Sequence, residues 1–464
     1  MRFTVARDAF AEAVAWVARA LPSRPVIPVL AGLLLHADGD RLTLSCFDYE
    51  VSARMTVPAE VAQPGTALVP GRLLVEITRS LPGLPVQWWD DPDGVSMTCG
   101  EASFTLVPLP PEEYPDLPDL PHVAGTVDGG TFGTAISQVT PAASRDDTLP
   151  MLTAVSLELA GETMTLAATD RYRLAVRDLD WEPAGPYGPL AVLVPARTLA
   201  DAARMMHPGA PVRVMLRDGG DIAGGNVAGQ GGDAMIGFEA GERRLTTRLL
   251  AGEFVKYRSR FPGEFGCVAE LPAEAFTEAV RRVSLVAERG TPVQLSFGPG
   301  KVTVIAATQG QARARESVPA EFAGDEPVIA FSPQYLLEGV IAATAGAGHA
   351  AAGHAAASAS GRAADGAGDG AGEEHAQETG QVRVRLQFTS PSKPAVITRG
   401  PAAGGAGDDD AKEGSSFRYL VVPQRTSQLR VAPGRLLVRV VRVVIVVAVP
   451  GEHHHGEQPD QHRQ

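Results

Sequence analysis

The sequence predicts an α+β chain built from three copies of one domain, each with two helices packed on antiparallel sheets, and three recurring features predict it. The first is a motif, Phe-x-x-Ala-(Val/Ile)-x-x-Val, at Phe10, Ala13, Val14 and Val17, at Phe132, Ala135, Ile136 and Val139, and at Phe276, Ala279, Val280 and Val283. Offsets of three, four and seven place these side chains on one helical face. The second is a proline, Pro28, Pro150 or Pro292, lying 18, 18 and 16 residues after the motif phenylalanine and opening an extended run. The runs 33–44, 155–166 and 295–304 alternate apolar residues around DGD, AGE or GPG and read as β-hairpins. An acidic landmark follows in the first two copies, Asp48 and Asp170, where the third has Gln309. The third feature is a strand end leading into a second helix: Val69-Pro70 with Leu74, Val194-Pro195 with Leu199, and Ser332-Pro333 with Leu337. One such match is what chance produces. Three elements in the same order, three times, are a repeat, although a repeat alone names no function.

The 464 residues suit about three domains of ordinary size. The repeat sets the units at 1–124, 125–253 and 254–426. The third unit carries two low-complexity insertions, 344–380 and 400–416, rich in Gly and Ala and read as disordered. Surface loops grow at a modest entropic cost, about 0.6 kcal/mol per doubling of length. Residues 427–464 form a C-terminal extension whose Val-rich part reads as an added strand or an aggregation-prone stretch. With Arg439 and Arg442 inside it, that stretch falls short of the ~20 apolar residues of a membrane span. His349, His354, His375 and His453 to His455 sit in biased sequence and read as compositional drift rather than metal ligands.

Composition excludes several classes. Cys46, Cys99 and Cys267 are far apart, so neither a disulfide framework nor a zinc site is expected. The N-terminus lacks the apolar core of a secretory signal, and a reducing cytoplasm is expected. A net charge of -13 argues against a generally basic coat, not against a local basic face. No P-loop, H-E-x-x-H or G-x-S-x-G pattern occurs, and Asp90-Asp91 and Asp146-Asp147 read as turns. No catalysis and no cofactor are predicted.

The sharpest local sequences are Arg24-Pro-Val-Ile-Pro-Val-Leu, Arg145-Asp-Asp-Thr-Leu-Pro, Thr169-Asp-Arg-Tyr-Arg-Leu-Ala-Val and Tyr419-Leu-Val-Val-Pro-Gln-Arg. In these the chain, over about residues 1–425, resembles the bacterial DNA polymerase III β subunits, the replication sliding clamps, especially those of high-GC actinobacteria. The resemblance implies a three-domain crescent that dimerises head to tail into a ring, with helices lining the hole and duplex DNA passing through it. It implies as partners the DNA polymerase III catalytic subunit, a clamp loader and other proteins carrying a clamp-binding motif. The location implied is cytoplasmic, at the nucleoid.

Candidate DNA contacts are Arg24, Arg72, Arg79, Arg145, Arg197, Arg204, Arg281 and Arg282, with Arg24 and Arg197 foremost. Arginines on a lining would meet phosphates without reading sequence, and plain solvation is the alternative for each. The resemblance places a partner-peptide cleft at Leu152, Thr169, Arg171, Tyr172, Arg173, Leu174, Val255, Ser392, Leu420, Val422, Pro423, Gln424 and Arg425. It places the dimer interface at Phe104 and Leu106 on one side and at Leu285 and Val286 on the other. The chain departs from the family pattern at Val255, usually proline, at Glu101, often basic, and at Val422-Pro-Gln-Arg-Thr, where Met-Pro-(Met/Val)-Arg-Leu is usual. Polar atoms at Gln424 and Thr426 in an apolar groove are expected to weaken partner binding. Three other readings stay open: an accessory clamp for repair or specialised polymerases, an α/β repeat enzyme acting on DNA, and a structural repeat protein.

Overall fold

The computed structural model describes residues 1–92, 94–185, 189–217, 234–288, 290–308, 311–345, 382–401 and 416–424, with the backbone of 426–427 and 439–440. Each motif helix forms as its spacing demands. They are α1 (Arg7–Val17), α3 (Gly129–Val139) and α5 (Ala273–Ser284), and the second helices are α2 (Gly71–Ser80), α4 (Ala196–Ala203) and α6 (Pro333–Thr344). Phe10, Phe132 and Phe276 are fully buried, each contributing about 1.5–3 kcal/mol of transfer free energy to its core. The helices pair within units, α1 on α2, α3 on α4 and α5 on α6. Pro70 and Pro195 precede α2 and α4, and Pro333 occupies the first turn of α6. At α3 the Asp128 carboxylate accepts the Thr131 N–H at 2.8 Å and the Gly209 N–H at 3.0 Å, and these bonds hold its carboxyl below the usual range.

The predicted hairpins are Gly32–Asp38 with Arg41–Phe47, Ala154–Ala160 with Thr163–Thr169, and Val293–Gly298 with Lys301–Thr308. Their turns place Gly39, Gly161 and Gly300 at φ of 59°, 58° and 69°, a region that favours glycine. The prolines play a different part from the one expected. Pro28 and Pro150 open short 3₁₀ turns before the first strand of each hairpin instead of entering it directly.

Sheets run across unit boundaries. Strand Val51–Gln63 of the first unit pairs antiparallel with Arg243–Arg248 of the second, and Arg173–Asp180 of the second pairs antiparallel with Phe417–Val421 of the third. Gln138 of α3 adds a buried tie, donating from Nε2 to the Ala342 carbonyl of α6 at 2.8 Å. Ala102–Leu106 in the first unit and Ala312–Pro319 in the third are among the strands that end their sheets.

The insertions lie almost wholly outside the described residues, as do Gln309 and the histidines of 349–375 and 453–455. Of the extension, the described part is a short antiparallel pairing of Thr426–Ser427 with Arg439–Val440. Among the described residues no helix is long and apolar enough to cross a membrane.

Candidate functional site

Basic side chains gather where the first unit meets the second. The segment after α1 and the start of α4 enclose a cavity of about 280 Å³ lined by Trp16, Arg19, Arg24, Arg197, Asp201 and others. Arg24 and Arg197, far apart in sequence, thus share one wall. Arg72 steadies the segment, its Nη2 donating to the Pro22 carbonyl at 3.1 Å. Asp201 is pushed above its ordinary range by burial, against the charges of Arg204, Arg19 and Arg197. Arg204 Nε lies 3.5 Å from its carboxylate. Three arginines, Arg19, Arg24 and Arg197, against two acids, Asp48 and Asp201, leave the lining net positive by one charge.

The other arginine candidates divide. Arg79 is exposed on the last turn of α2, and Arg145 is exposed in the turn before Pro150. Arg281 and Arg282 are balanced by carboxylates. Arg281 donates to Glu278 at 2.8 Å, and Arg282 grips Glu316 through Nε at 3.1 Å and Nη2 at 2.7 Å. That grip holds the Glu316 carboxyl below its usual range. Arg282, expected as a DNA contact, is thus half-exposed and already paired with a carboxylate of strand Ala312–Pro319.

Residues expected at the partner cleft gather on the opposite face of the sheet that joins the second and third units. Alternate strand residues point to opposite sides. Ala175, Tyr419 and Val421 face the core with the helices, whereas Leu174, Val176 and Leu420 join Ala167 and Tyr257 in a separate apolar cluster. Phe254, Val255, Phe261 and Val422 pack against that cluster. Sequence reasoning found Leu174, Val255, Leu420 and Val422 but missed Val176, Phe254, Tyr257 and Phe261. The i, i+2 spacing of Leu174 and Val176, and the aromatic run in 254–261, were the available signals.

The turn beside this cluster is held by Asp170, whose carboxylate accepts the backbone N–H of Tyr172 at 3.0 Å and of Arg173 at 3.1 Å. Thr169 Oγ1 donates to the Arg173 carbonyl at 2.6 Å. Arg171 sits at φ 81°, a conformation that costs a side-chain-bearing residue about 1 kcal/mol and that these bonds impose. Tyr172 stacks on Tyr335 with ring centres 6.2 Å apart, and its carbonyl accepts the Val422 N–H at 2.9 Å. Leu152 is buried, and Ser392 is exposed in the turn after Phe388.

Arg173 departs from its expected place as a peptide contact. It is 6% exposed, and its guanidinium ties the second unit to the third instead. Nε donates to Asp170 at 3.0 Å, Nη1 to the Tyr419 hydroxyl at 3.5 Å, a second ion pair reaches Glu338 of α6, and the group lies 4.5 Å from the centre of the Tyr335 ring. Burial pushes Asp170 upward, against the pull of Arg173. Arg173 stays charged because Tyr419 and Asp170 outweigh its own desolvation.

Gln424 is anchored by its backbone N–H, which donates to the Ala330 carbonyl at 2.8 Å, yet its side-chain oxygen is buried with no partner among the described residues. Arg425 lies outside the described residues. On the expected dimer face Leu106 is also corrected: it is 3% exposed and turned into its own core, whereas Leu285 is 85% exposed. Phe104 and Val286 are half-buried.

Comparison with known proteins agrees with this architecture. Family models of the DNA polymerase III beta subunit match in order, the N-terminal domain over residues 1–118, the central domain over 126–256 and the C-terminal domain over 258–346. The beta sliding clamp of Streptomyces coelicolor is 43% identical over 427 residues, covering 92% of this chain and 100% of that protein. The beta sliding clamp of Micrococcus luteus is 46% identical over 319 residues, covering 69% of this chain and 99% of its own. The fold matches the DNA polymerase sliding clamp from Bacillus subtilis with a TM-score of 0.72 at 23% identity, over 92% of this chain and 99% of that one. Three matching domains in the clamp order, and identity sustained along a whole curated clamp, establish that the chain belongs to the DNA polymerase III beta subunit family, the beta sliding clamps.

Proposed function

We propose that two copies of this chain close into a ring around duplex DNA and tether DNA polymerase III and other clamp-motif partners to it, with the DNA-facing charge at Arg19, Arg24, Arg197 and Arg204. The carrying observation is that sheets pass unbroken from unit to unit while helices keep to one face and the apolar cleft to the other. DNA and a partner peptide then never compete for the same surface. The chain performs no chemistry. It holds a polymerase at high effective concentration near its primer end, and sequence-independent phosphate contacts let the ring travel. Relatives that are themselves beta sliding clamps favour this main replicative role over an accessory one. The units that carry it are 1–124, 125–253 and 254–426.

Topology is the test. Loaded onto nicked circular plasmid by a clamp loader, the protein stays bound through a salt wash and is released when a restriction enzyme linearises the DNA. Retention on the linear product would mean ordinary affinity rather than encirclement.

The cleft should bind its motif more weakly than an all-apolar groove would. An unpartnered buried amide oxygen costs about 1–3 kcal/mol. Gln424→Val is expected to tighten a clamp-motif peptide by about tenfold in a fluorescence titration. An unchanged dissociation constant would clear Gln424 of any part in the affinity.

A further inference from the structure

The repeat builds its two internal junctions on one backbone frame and fills their outer faces with opposite chemistry. At each junction the strand after the hairpin pairs antiparallel with the last strand of the next unit, Ala53 opposite Leu245 at the first and Ala175 opposite Tyr419 at the second. These four side chains belong to the core on the helix side. Their neighbours along the strands point the other way. At the second junction those neighbours are Leu174, Val176 and Leu420, with Ala167 opposite Val176 on the hairpin, and they form the apolar cluster described above. At the first junction the matching positions hold Ser52, Arg54, Thr246 and Ser45. A polar, cationic face stands where the next junction has an apolar one.

Arg54 lies directly opposite Arg244, and like charges so placed destabilise a sheet unless an anion answers them. Arg244 is answered. Its Nε donates to Glu239 Oε2 at 2.7 Å, and the other oxygen of that buried carboxylate pairs with Arg213. Arg54 is not answered: it has no hydrogen bond or ion pair among the described residues. It is half-buried, and burial together with the charge of Arg244 pushes its pKa down. Farther along the face Arg41 pairs with Glu242. Arg41, Arg54, Arg213 and Arg244 against Glu239 and Glu242 leave this strip positive on a chain whose net charge is -13. The Thr246 hydroxyl is a second unanswered group, buried with no partner among the described residues. It lies diagonal to Arg54 across the strand pair, a separation that a long side chain spans.

We infer that the outer face of the first junction is a second docking surface, which takes an acidic peptide segment of a partner protein and seats one of its carboxylates on Arg54 and Thr246. The guanidinium fork matches a carboxylate through two parallel hydrogen bonds. Arg213, Glu239, Arg244 and Arg54 stand in register on four adjacent strands, a row about 14 Å long at roughly 4.8 Å per strand. That length exceeds a single small anion and suits an extended segment with several carboxylates. The surface goes beyond the ring reading and holds whether or not the ring closes. Lying away from the helices, it leaves the inner wall to DNA. A partner carrying both an apolar motif and an acidic stretch would engage two junctions at once, and the second contact would form at high effective concentration.

Fluorescence anisotropy of a labelled oligo-aspartate peptide with the full chain at low salt tests this. The net charge of -13 repels such a probe, so its binding reports a local site. Arg54→Gln should weaken it by about tenfold or more. The same variant should bind a clamp-motif peptide as the parent does, and its urea midpoint should be equal or higher, because a like-charge contact is removed. Arg24→Gln with Arg197→Gln, on the inner wall, should leave oligo-aspartate affinity within about threefold of the parent. A parent that does not bind the probe, or a folded Arg54→Gln that binds it equally well, overturns the site. A loss in the inner-wall variant as large as in Arg54→Gln overturns the location. A single-stranded oligonucleotide of the same charge that binds more tightly than oligo-aspartate, and depends equally on Arg54, overturns the choice of an acidic peptide.

Discussion

Arg173→Ala should destabilise the chain by about 3–5 kcal/mol, read as a lower midpoint in urea unfolding. The substitution removes one guanidinium that serves Asp170, Glu338, Tyr419 and the Tyr335 ring at once. Two carboxylates then remain with their desolvation uncompensated, which costs far more than the pair contributes while intact. Asp170 is already pushed upward by burial, and Arg173 is the charge that opposes this. Without it the folded carboxyl titrates higher still. A carboxyl raised in the folded state favours folding below its unfolded value of 3.8, and that contribution is lost as pH rises through the folded value. The deficit of Arg173→Ala should therefore be largest at neutral pH and shrink under mild acid. Binding of a clamp-motif peptide should fall as well, because Arg173 ties the Tyr172 turn of the second unit to α6 of the third. Unchanged stability across pH 4 to 8 would refute the staple.

The second large effect concerns DNA. Arg24→Glu combined with Arg197→Glu should weaken binding to duplex DNA by about 100-fold at low salt, measured by fluorescence anisotropy. Each phosphate contact removed lowers the slope of log affinity against log salt by about 0.9. The two residues share one cavity wall with Arg19, so reversal there turns a positive wall negative. Arg282→Glu should do much less, because Arg282 already spends its charge on Glu316. An equal loss from Arg282→Glu would mean that the net charge of the protein, not this wall, governs DNA affinity.

Much of the architecture was legible in the chain because burial is periodic. The Phe-x-x-Ala-(Val/Ile)-x-x-Val motif named four core side chains in each of three helices, and hairpin glycines marked the turns, since helix and strand geometry alone decide which residues share a face. Long unpatterned tracts such as 346–381 offered no such signal. The site was less legible. Leu174 and Leu420 could be assigned to the cleft by resemblance, but Val176, Tyr257 and Phe261 join them through folding of a connecting segment over a sheet face.

The sequence by itself determined the threefold repeat, the buried helical faces, the hairpins and the membership in the clamp family, because each is written in local spacing and short identities. Only the tertiary structure decided what individual side chains do. Arg173 is a staple because Tyr419, 246 residues away, meets it. Arg282 is paired because a strand brings Glu316 alongside, and Leu106 is core because its edge strand turns that face inward. A charge or an apolar surface acquires its role from the neighbours that desolvate or oppose it, and in this chain those neighbours come from other units of the repeat.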